Sequence, residues 1–539
     1  MKNIYLLFLI ALNFSAVAQE DAWVYFNAKP NAQYYYDNPL QMLSQRALDR
    51  RTTQNILLDI KDVPLHQPYI DQITASTGIM VMAKSKWLNA LHIRGTQTNI
   101  AALISLSFVE KVIYANHSLN PGAKNVVALS QKNNVVNKFQ DIQVSFNYGN
   151  SATQVQMLNA HILHQQNHTG SGKIIAVMDA GFPGVNTAAP FQRLRTNNLI
   201  LGGYDFVNNT TNPYTGNSHG TLVLSNMGGY ADNQLVGTAP DAQYYLFITE
   251  DSNSETPLEE SNWVEAAEMA DSLGVDVINT SLGYFAYDNP NYSYTYNDMN
   301  GTKSFISRGA DVAFSRGMIC VTSAGNSGSS SDPYIAVPAD AFTALTVGAV
   351  NSAKVKASFS SIGPTFDGRL KPDVMAMGAS ATVANQSGSV VTASGTSFSS
   401  PIMAGAVTSF WSAFPNKTNA EIVQLVKSSA DKYSNPNFQY GNGIPDFQLA
   451  LNNALSTSEF NNARINVYPN PAQNFITISS LENIKQATIV FYNNLGQIVL
   501  KEKLNSQQQD ISLQFLPSGI YHYNIVSYDK ILNGKIIKN

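Results

Sequence analysis

The spacing of apolar residues changes character twice along the chain and divides it into three regions. From residue 19 to about 120, extended runs (WVYFNAK, GIMVMAK, VEKVIYA) alternate with runs at helical spacing (LQMLSQRALDRR, TNIAALISL), which predicts a small α+β unit. From about 149 to 456, short apolar β runs (KIIAVMD, YYLFITE, VDVINT, MICVTSAG, TALTVGAV) are separated by helical segments (TLVLSNMGG, NWVEAAEMADSLG, ISRGADVAFSRG). Strands separated by helices of this length predict an α/β domain, a parallel sheet with helices on both faces. From 464 to 539 the helical spacing disappears. Seven short runs, from INVYPN through FITISS, ATIVFYNN, QIVLKEK, ISLQFL and IYHYNIVSY to GKIIKN, are punctuated by PNP, NNLG, PSG and LNG turns, the pattern of a small all-β sandwich. The polar, Asn/Gln/Lys-rich stretch 121–148 reads as a linker.

The first eighteen residues stand apart. Lys2 precedes the apolar stretch Ile4–Leu12, and Ala16-Val17-Ala18 fits a small-x-small cleavage site, so residues 1–18 are expected to be a signal peptide with Gln19 as the new terminus. No other stretch approaches the roughly 18 apolar residues of a membrane span. The net charge of −4 argues against a nucleic-acid or anionic-membrane partner. The single cysteine, Cys320, allows no internal disulfide and reads as a buried strand residue.

Three distant segments carry candidate chemistry. Asp179 ends the apolar run KIIAVMD, where a carboxylate needs a partner. His219 stands in NSHGTLVLSNMGG at the predicted start of a helix, and Ser397 in SGTSFSSPIMAGA, also at a predicted helix start. There a backbone N–H is available to a developing oxyanion. Asn326, in TSAGNSG, offers a side-chain amide to the same oxyanion, and Ser281-Leu282-Gly283, after VDVINT, offers backbone groups to an extended peptide. Singly, each residue has a plain structural reading: a turn cap, a capping histidine, a Ser N-cap, an Asn in a glycine turn. Together, Asp, His and Ser supply the nucleophile, base and orienting acid of acyl transfer. Glu259, Glu260, Glu265 and Glu268 read as a solvated helix face. The acidic, Tyr-rich segment 287–300 reads as a surface loop near the cleft that could take Ca²⁺.

The segments DAGF, SHGT, SAGNSG and GTSFSSP, in the order Asp–His–Ser, resemble the subtilisin-like serine proteases over residues 149–456. YGNGIPDFQLAL resembles the last helical region of that family's catalytic domains. Ala180 replaces the usual Ser or Thr, and Phe398-Ser399 replaces Met-Ala. The resemblance implies a subtilisin-like fold in which Asp179 orients the base, His219 is the base, Ser397 the nucleophile and Asn326 the oxyanion donor. Residues 19–120 resemble a subtilase propeptide, a folding chaperone and temporary inhibitor. Val467-Tyr468-Pro469-Asn470-Pro471, Asn494-Leu495-Gly496, Pro517-Ser518-Gly519-Ile520-Tyr521 and the basic end Gly534–Lys538 resemble the C-terminal sorting domain of type IX secretion cargo.

The expectation is therefore a secreted or surface-attached serine endopeptidase, made as a zymogen and carried across the outer membrane by the type IX machinery. Its partners would be a protein or peptide substrate and that machinery. It is expected to be a monomer without a required cofactor; a structural Ca²⁺ is left open, and no metal ligand is assigned. The alternative is a catalytically silent surface protein that keeps the fold for binding.

Overall fold

The alternation in the first region becomes a four-stranded antiparallel sheet in the computed structural model. It comprises β1 (Gln19–Phe26), β2 (Ile79–Ser85), β3 (Ala90–Thr96) and β4 (Val109–Tyr114), in the order β2-β3-β1-β4. The model describes residues 19–120, 146–455, 465–480, 487–493, 497–504, 506, 508–527 and 530–539, so the expected signal peptide and most of the linker lie outside the described residues. One compact unit ends at Leu455 and a second begins at Ser456. The N-terminal and α/β regions thus share one unit.

Helix α1 (Gln45–Thr53) lies in the long connection after β1, while α2 (Gln67–Thr74) and α3 (Gln97–Ala102) cover the outer face of the small sheet. Alternation along β1 sends Ala22, Val24 and Phe26 to that face, against Ile73 and Ile100. It sends Trp23 and Tyr25 the other way, into the core of the α/β body, where Trp23 stacks on Phe305 at 5.2 Å.

The α/β body is built on a seven-stranded sheet whose neighbouring strands all pair in parallel. Its strands are β5 (Ile174–Asp179), β6 (Ile200–Asp205), β7 (Gln243–Ile248), β8 (Val277–Thr280), β9 (Ile319–Ser323), β10 (Leu345–Val350) and β11 (Val374–Met377), in the order β11-β10-β9-β8-β5-β7-β6. Both faces are buried, which explains why these strands read as continuous apolar runs. Ile175 and Val177 face one layer with α4 (His219–Gly228) and α7 (Thr396–Ala413). Ile174, Ala176, Met178 and Cys320 face the other, with α5 (Leu258–Leu273) and α6 (Phe305–Ser315). Helix α7 is buried on nearly every side. Its Gly405 meets Thr238 so closely that a Cβ there would stand 2.1 Å from the threonine hydroxyl. Helices α8 (Asn419–Ser428) and α9 (Phe447–Leu455) close this layer. Packing begins before the expected end of the linker: Tyr148 is buried, with its hydroxyl 2.7 Å from His164 Nδ1.

Two expectations are overturned. The glutamates of α5 are not a solvated face. Glu260 is fully buried and accepts hydrogen bonds from the Tyr287 and Tyr294 hydroxyls, each at 2.6 Å, and from Ile306 N. Glu268 accepts from Ser85 Oγ, Lys86 N and Trp87 N, so it caps the β2–β3 turn. Glu259 accepts from Asp251 N and Thr256 N. Glu265 is half-buried beside Lys84. Segment 287–300, in turn, is no plain surface loop, because Tyr287, Tyr292 and Tyr294 are buried. Polar side chains met by polar partners leave the same sequence pattern as polar side chains met by water.

The second unit contains β12 (Ile465–Tyr468), β13 (Phe475–Ser480), β14 (Ala487–Tyr492), β15 (Ile498–Leu504), β16 (Gln508–Ser512), β17 (Gly519–Ser527) and β18 (Lys530–Lys538). They form antiparallel sheets of order β12-β13-β16 and β15-β14-β17-β18. Ile476, Ile478 and Ile511 from the first sheet share one core with Ile489, Phe491, Ile525 and Ile536 from the second, the expected sandwich.

Candidate active site

Asp179 is the last residue of β5 and is fully buried. The chain turns sharply after it, and the turn is locked to the segment approaching α4: Asn217 N donates to Ala180 O and Phe182 N to Thr215 O. Gly181 makes this approach possible. Its φ is +145°, and a Cβ there would lie 2.2 Å from Thr215 O. Gly220, just inside α4, has the same role from the other side, since a Cβ would come within 2.9 Å of Asp179 Cβ. Two glycines therefore let a strand end and a helix start close on each other, and His219 Nδ1 comes to 2.7 Å from Asp179 Oδ1. Ala180 N also donates to Oδ1, while Oδ2 is buried without a hydrogen-bond partner among the described residues. This carboxylate is under-satisfied, and the imidazole is its principal compensation.

That imbalance shapes the base. Burial pushes the His219 pKa down, but the charge of Asp179, the hydrogen bond to it and the nearby Glu250 outweigh burial and hold it above the ordinary 6.5. With Nδ1 committed to Asp179, Nε2 is the nitrogen left to exchange a proton with a substrate or nucleophile.

Ser397 lies in the first turn of α7, where backbone N–H groups lack helical partners. Its chain neighbour Phe398 lies near the histidine, the two rings 6.0 Å apart. Its hydroxyl donates to Ser281 O at 3.2 Å rather than to His219. Catalytic hydrogen bonds commonly tighten only when substrate binds. Asn326 follows β9. Its Oδ1 accepts from Thr396 N at 2.9 Å and Thr396 Oγ1 at 3.0 Å, which fixes the amide plane. Its Nδ2 faces the Gly395 side of the same turn, 3.6 Å from where a Cβ on that glycine would stand. Ser281 is tied to Ser397 in both directions, since its own hydroxyl donates to Ser397 O at 2.9 Å. Leu282 O accepts from Ser323 Oγ, and Gly283 is exposed next to Val337 O.

The structure thus pairs Asp179 with His219 and Ser281 with Ser397, and ties Asn326 to the turn before Ser397. Asp179, Ser281 and Asn326 lie at or just past the carboxyl ends of β5, β8 and β9, where open α/β sheets place their ligands. Sequence reading missed Glu250, just past β7. Burial and the charge of Glu255 push its pKa up to about 8, and its Oε2 accepts from the Tyr284 hydroxyl at 2.8 Å. Its position past a strand's carboxyl end was the available signal.

Fold and site together define a serine hydrolase on a parallel α/β sheet, with an Asp–His pair at one strand end and a Ser at a central helix start. Residues 170–443 match the model of the Subtilase family, 21–133 the Peptidase S8 propeptide domain of Bacteroidota, and 466–539 the Secretion system C-terminal sorting domain. The chain is 34% identical over 300 residues to Subtilisin NAT of Bacillus subtilis subsp. natto, covering 55% of this chain and 70% of that one. It is 34% identical over 300 residues to a subtilisin of Bacillus pumilus, at 55% and 97% coverage. It is 29% identical over 324 residues to Serine protease AprX of Bacillus subtilis strain 168, at 54% and 69% coverage. The chain belongs to the subtilase family. It is a serine-type endopeptidase with an N-terminal propeptide domain and a sorting domain that directs it across the outer membrane to the cell surface or medium.

Proposed function

We propose that Ser397 Oγ attacks the scissile peptide carbonyl while His219 Nε2 takes the hydroxyl proton. The imidazolium so formed is stabilised by Asp179 and then gives its proton to the leaving amine. Water, deprotonated by the same nitrogen, resolves the acyl ester and regenerates Ser397. The oxyanion is held by the Ser397 backbone N–H and Asn326 Nδ2. Ser281, Leu282 and Gly283 border the groove, and the backbone of Leu282 and Gly283 pairs with an extended substrate as an added strand. The observation that carries this reading is the 2.7 Å contact between His219 and a buried, half-satisfied Asp179, with Phe398, the residue after Ser397, packed near the same imidazole.

The substrate is a protein or peptide, the precursor passes through the type IX machinery, and one chain completes the site, so we take the enzyme to act as a monomer. No step calls for a cofactor. A structural Ca²⁺ would take hard oxygen ligands, which segment 287–300 does not offer freely: Asp288 and Asp298 are spent on backbone N–H groups. Among the described residues, Glu250, Glu255 and Glu259 are three carboxylates close enough to share a cation, their oxygens lying within 4.8 Å of one another.

Ser397→Ala is expected to fold as the parent does and to lose roughly 10⁶ in kcat, the scale seen when a subtilisin loses its nucleophile. A fluorophosphonate should label the mature parent at Ser397. A folded mature protein that hydrolyses casein but takes no label there would reject the assignment, and one that does neither would favour the silent binder.

A further inference from the structure

The connection between β1 and α2, residues 27–66, touches its own sheet mainly at its ends, through Asn27, Lys29 and Leu65. That sheet is already covered by α2 and α3, and the connection has a small core of its own, built from Met42, Leu43, Ala47 and Val63. It reaches instead to the end of the α/β body opposite the catalytic groups. Val275 and Asp276 immediately precede β8, and Gly317 lies just ahead of β9, so the contacts are at the amino ends of these strands.

The contacts are directional, largely ionic and, at their centre, buried. Arg50 donates to the Asp271 carboxylate and to Val275 O. Arg51 donates to Asp271 Oδ2 at 2.7 Å and to Asp62 Oδ1 at 2.9 Å, and Asp62 in turn meets Arg316 at 3.3 Å. Arg50, Arg51, Asp62, Asp271 and Arg316 are all buried, Asp62 and Asp271 completely. Gln54 donates to Gly317 O at 2.9 Å and accepts from Asn419 N, the first residue of α8, at 3.0 Å. Arg46 pairs with Asp276 at 2.6 Å on the rim, where the arginine is 39% exposed. The connection therefore gathers three segments distant in sequence: the α5–β8 turn, the α6–β9 turn and the start of α8.

We propose that residues 27–66 are a second docking module of the propeptide domain, which recognises the acidic notch Asp271–Asp276 and anchors that domain independently of the catalytic cleft. Its partner is the enzyme's own body, and the inference rests on the reading of residues 21–133 as a propeptide. Cutting the chain behind the propeptide leaves this anchor intact. Withdrawal must part Asp271 from both guanidiniums and Arg50 from its carboxylate, while Arg51 keeps Asp62, so the anchor slows departure. The central contacts are buried, and added salt affects them little; it acts on Arg46–Asp276.

The test uses the full chain carrying Ser397→Ala, with a recognition sequence for a site-specific protease placed within residues 121–145. After cutting, the two pieces are expected to co-elute on gel filtration. Arg50→Ala with Arg51→Ala should speed their dissociation on the order of 10²-fold or more. Gln54→Ala, which leaves no charge buried, should speed it roughly ten- to a hundredfold, the scale of its two hydrogen bonds. It keeps the test open if the double variant does not fold. Pieces that separate at once in the parent, or release at the parental rate in folded Gln54→Ala, overturn the proposal. The propeptide reading fails separately, if the uncut chain with Ser397 intact is labelled by a fluorophosphonate as fast as the mature enzyme.

Discussion

Two buried aspartates at opposite ends of one sheet show what separates a working charge from a holding one. Asp179, at the carboxyl end of β5, has one oxygen shared between a backbone N–H and His219, and the other without a partner among the described residues. Asp271, in the last turn of α5 ahead of β8, has both oxygens committed to Arg50 and Arg51. Both are completely buried. The first charge is under-compensated, so it strengthens the imidazole as a proton acceptor. The second is fully met, and there the carboxylate pKa stays below its ordinary value, because the two guanidiniums outweigh burial.

Exchanging each carboxylate for an amide breaks this comparison most severely. Asp179→Asn should lower kcat by roughly 10⁴, through the wrong imidazole tautomer, while the urea midpoint of the precursor, measured well above the His219 pKa, is unchanged or higher. Asp271→Asn should leave kcat of correctly matured enzyme unaltered. In the Ser397→Ala precursor it should cost about 3–5 kcal/mol of unfolding free energy, because buried guanidiniums lose their partner. Equal stability losses in the two variants would show that the two charges do not differ as argued.

Asn326 sharpens the catalytic half of the comparison. Its carbonyl oxygen is held by Thr396, so its amide is aimed before substrate arrives. Asn326→Ala should lower kcat by roughly 10²–10³ with KM little changed, as expected for a donor that acts on the oxyanion rather than on the ground state. Thr396→Val removes the hydroxyl contact but keeps the backbone one, and should lose less. A rise in KM at constant kcat would place Asn326 in substrate binding instead.

How much of this was legible in the sequence follows the same division. Asp179, His219, Ser397 and Asn326 each sit at an element end, among glycines whose spacing marks a sharp turn, so local pattern reports them. The α5 glutamates and the α1 arginines sit at regular helical positions, where only the partner distinguishes a solvated face from a docked one. Glu260 is met by two tyrosines some thirty residues away, and Arg50 by an aspartate 221 residues away. No local spacing encodes either. For Arg50 and Arg51, the helical run was predicted and only its destination was not. Strand β3 and helix α2 went unread because ALHIRGT and QPYIDQIT mix polar and apolar residues, and neighbouring elements decide which side is buried.

The finest test concerns how the surrounding charges set the base. His219 must be neutral to accept the serine proton, so the acidic limb of kcat/KM reports its pKa in the free enzyme. Since that pKa is raised, the limb should lie above the ordinary histidine value of 6.5. The linkage sign is opposite for stability. The contribution of the Asp179–His219 ion pair is fully present below 6.5 and is lost as pH rises through the folded-state pKa. The enzyme therefore gains activity across the pH window in which this pair ceases to stabilise it. Glu250 also raises the histidine, but its own pKa is pushed up to about 8, so it is largely neutral where the limb falls and acts only through its small ionised fraction. Glu250→Gln should move the limb to slightly lower pH, by much less than Asp179 supports it, and leave kcat on the alkaline plateau nearly unchanged. A full kcat/KM profile of the two enzymes at fixed ionic strength measures the difference. A shift toward higher pH would mean that Glu250 does not act on His219 as a negative charge.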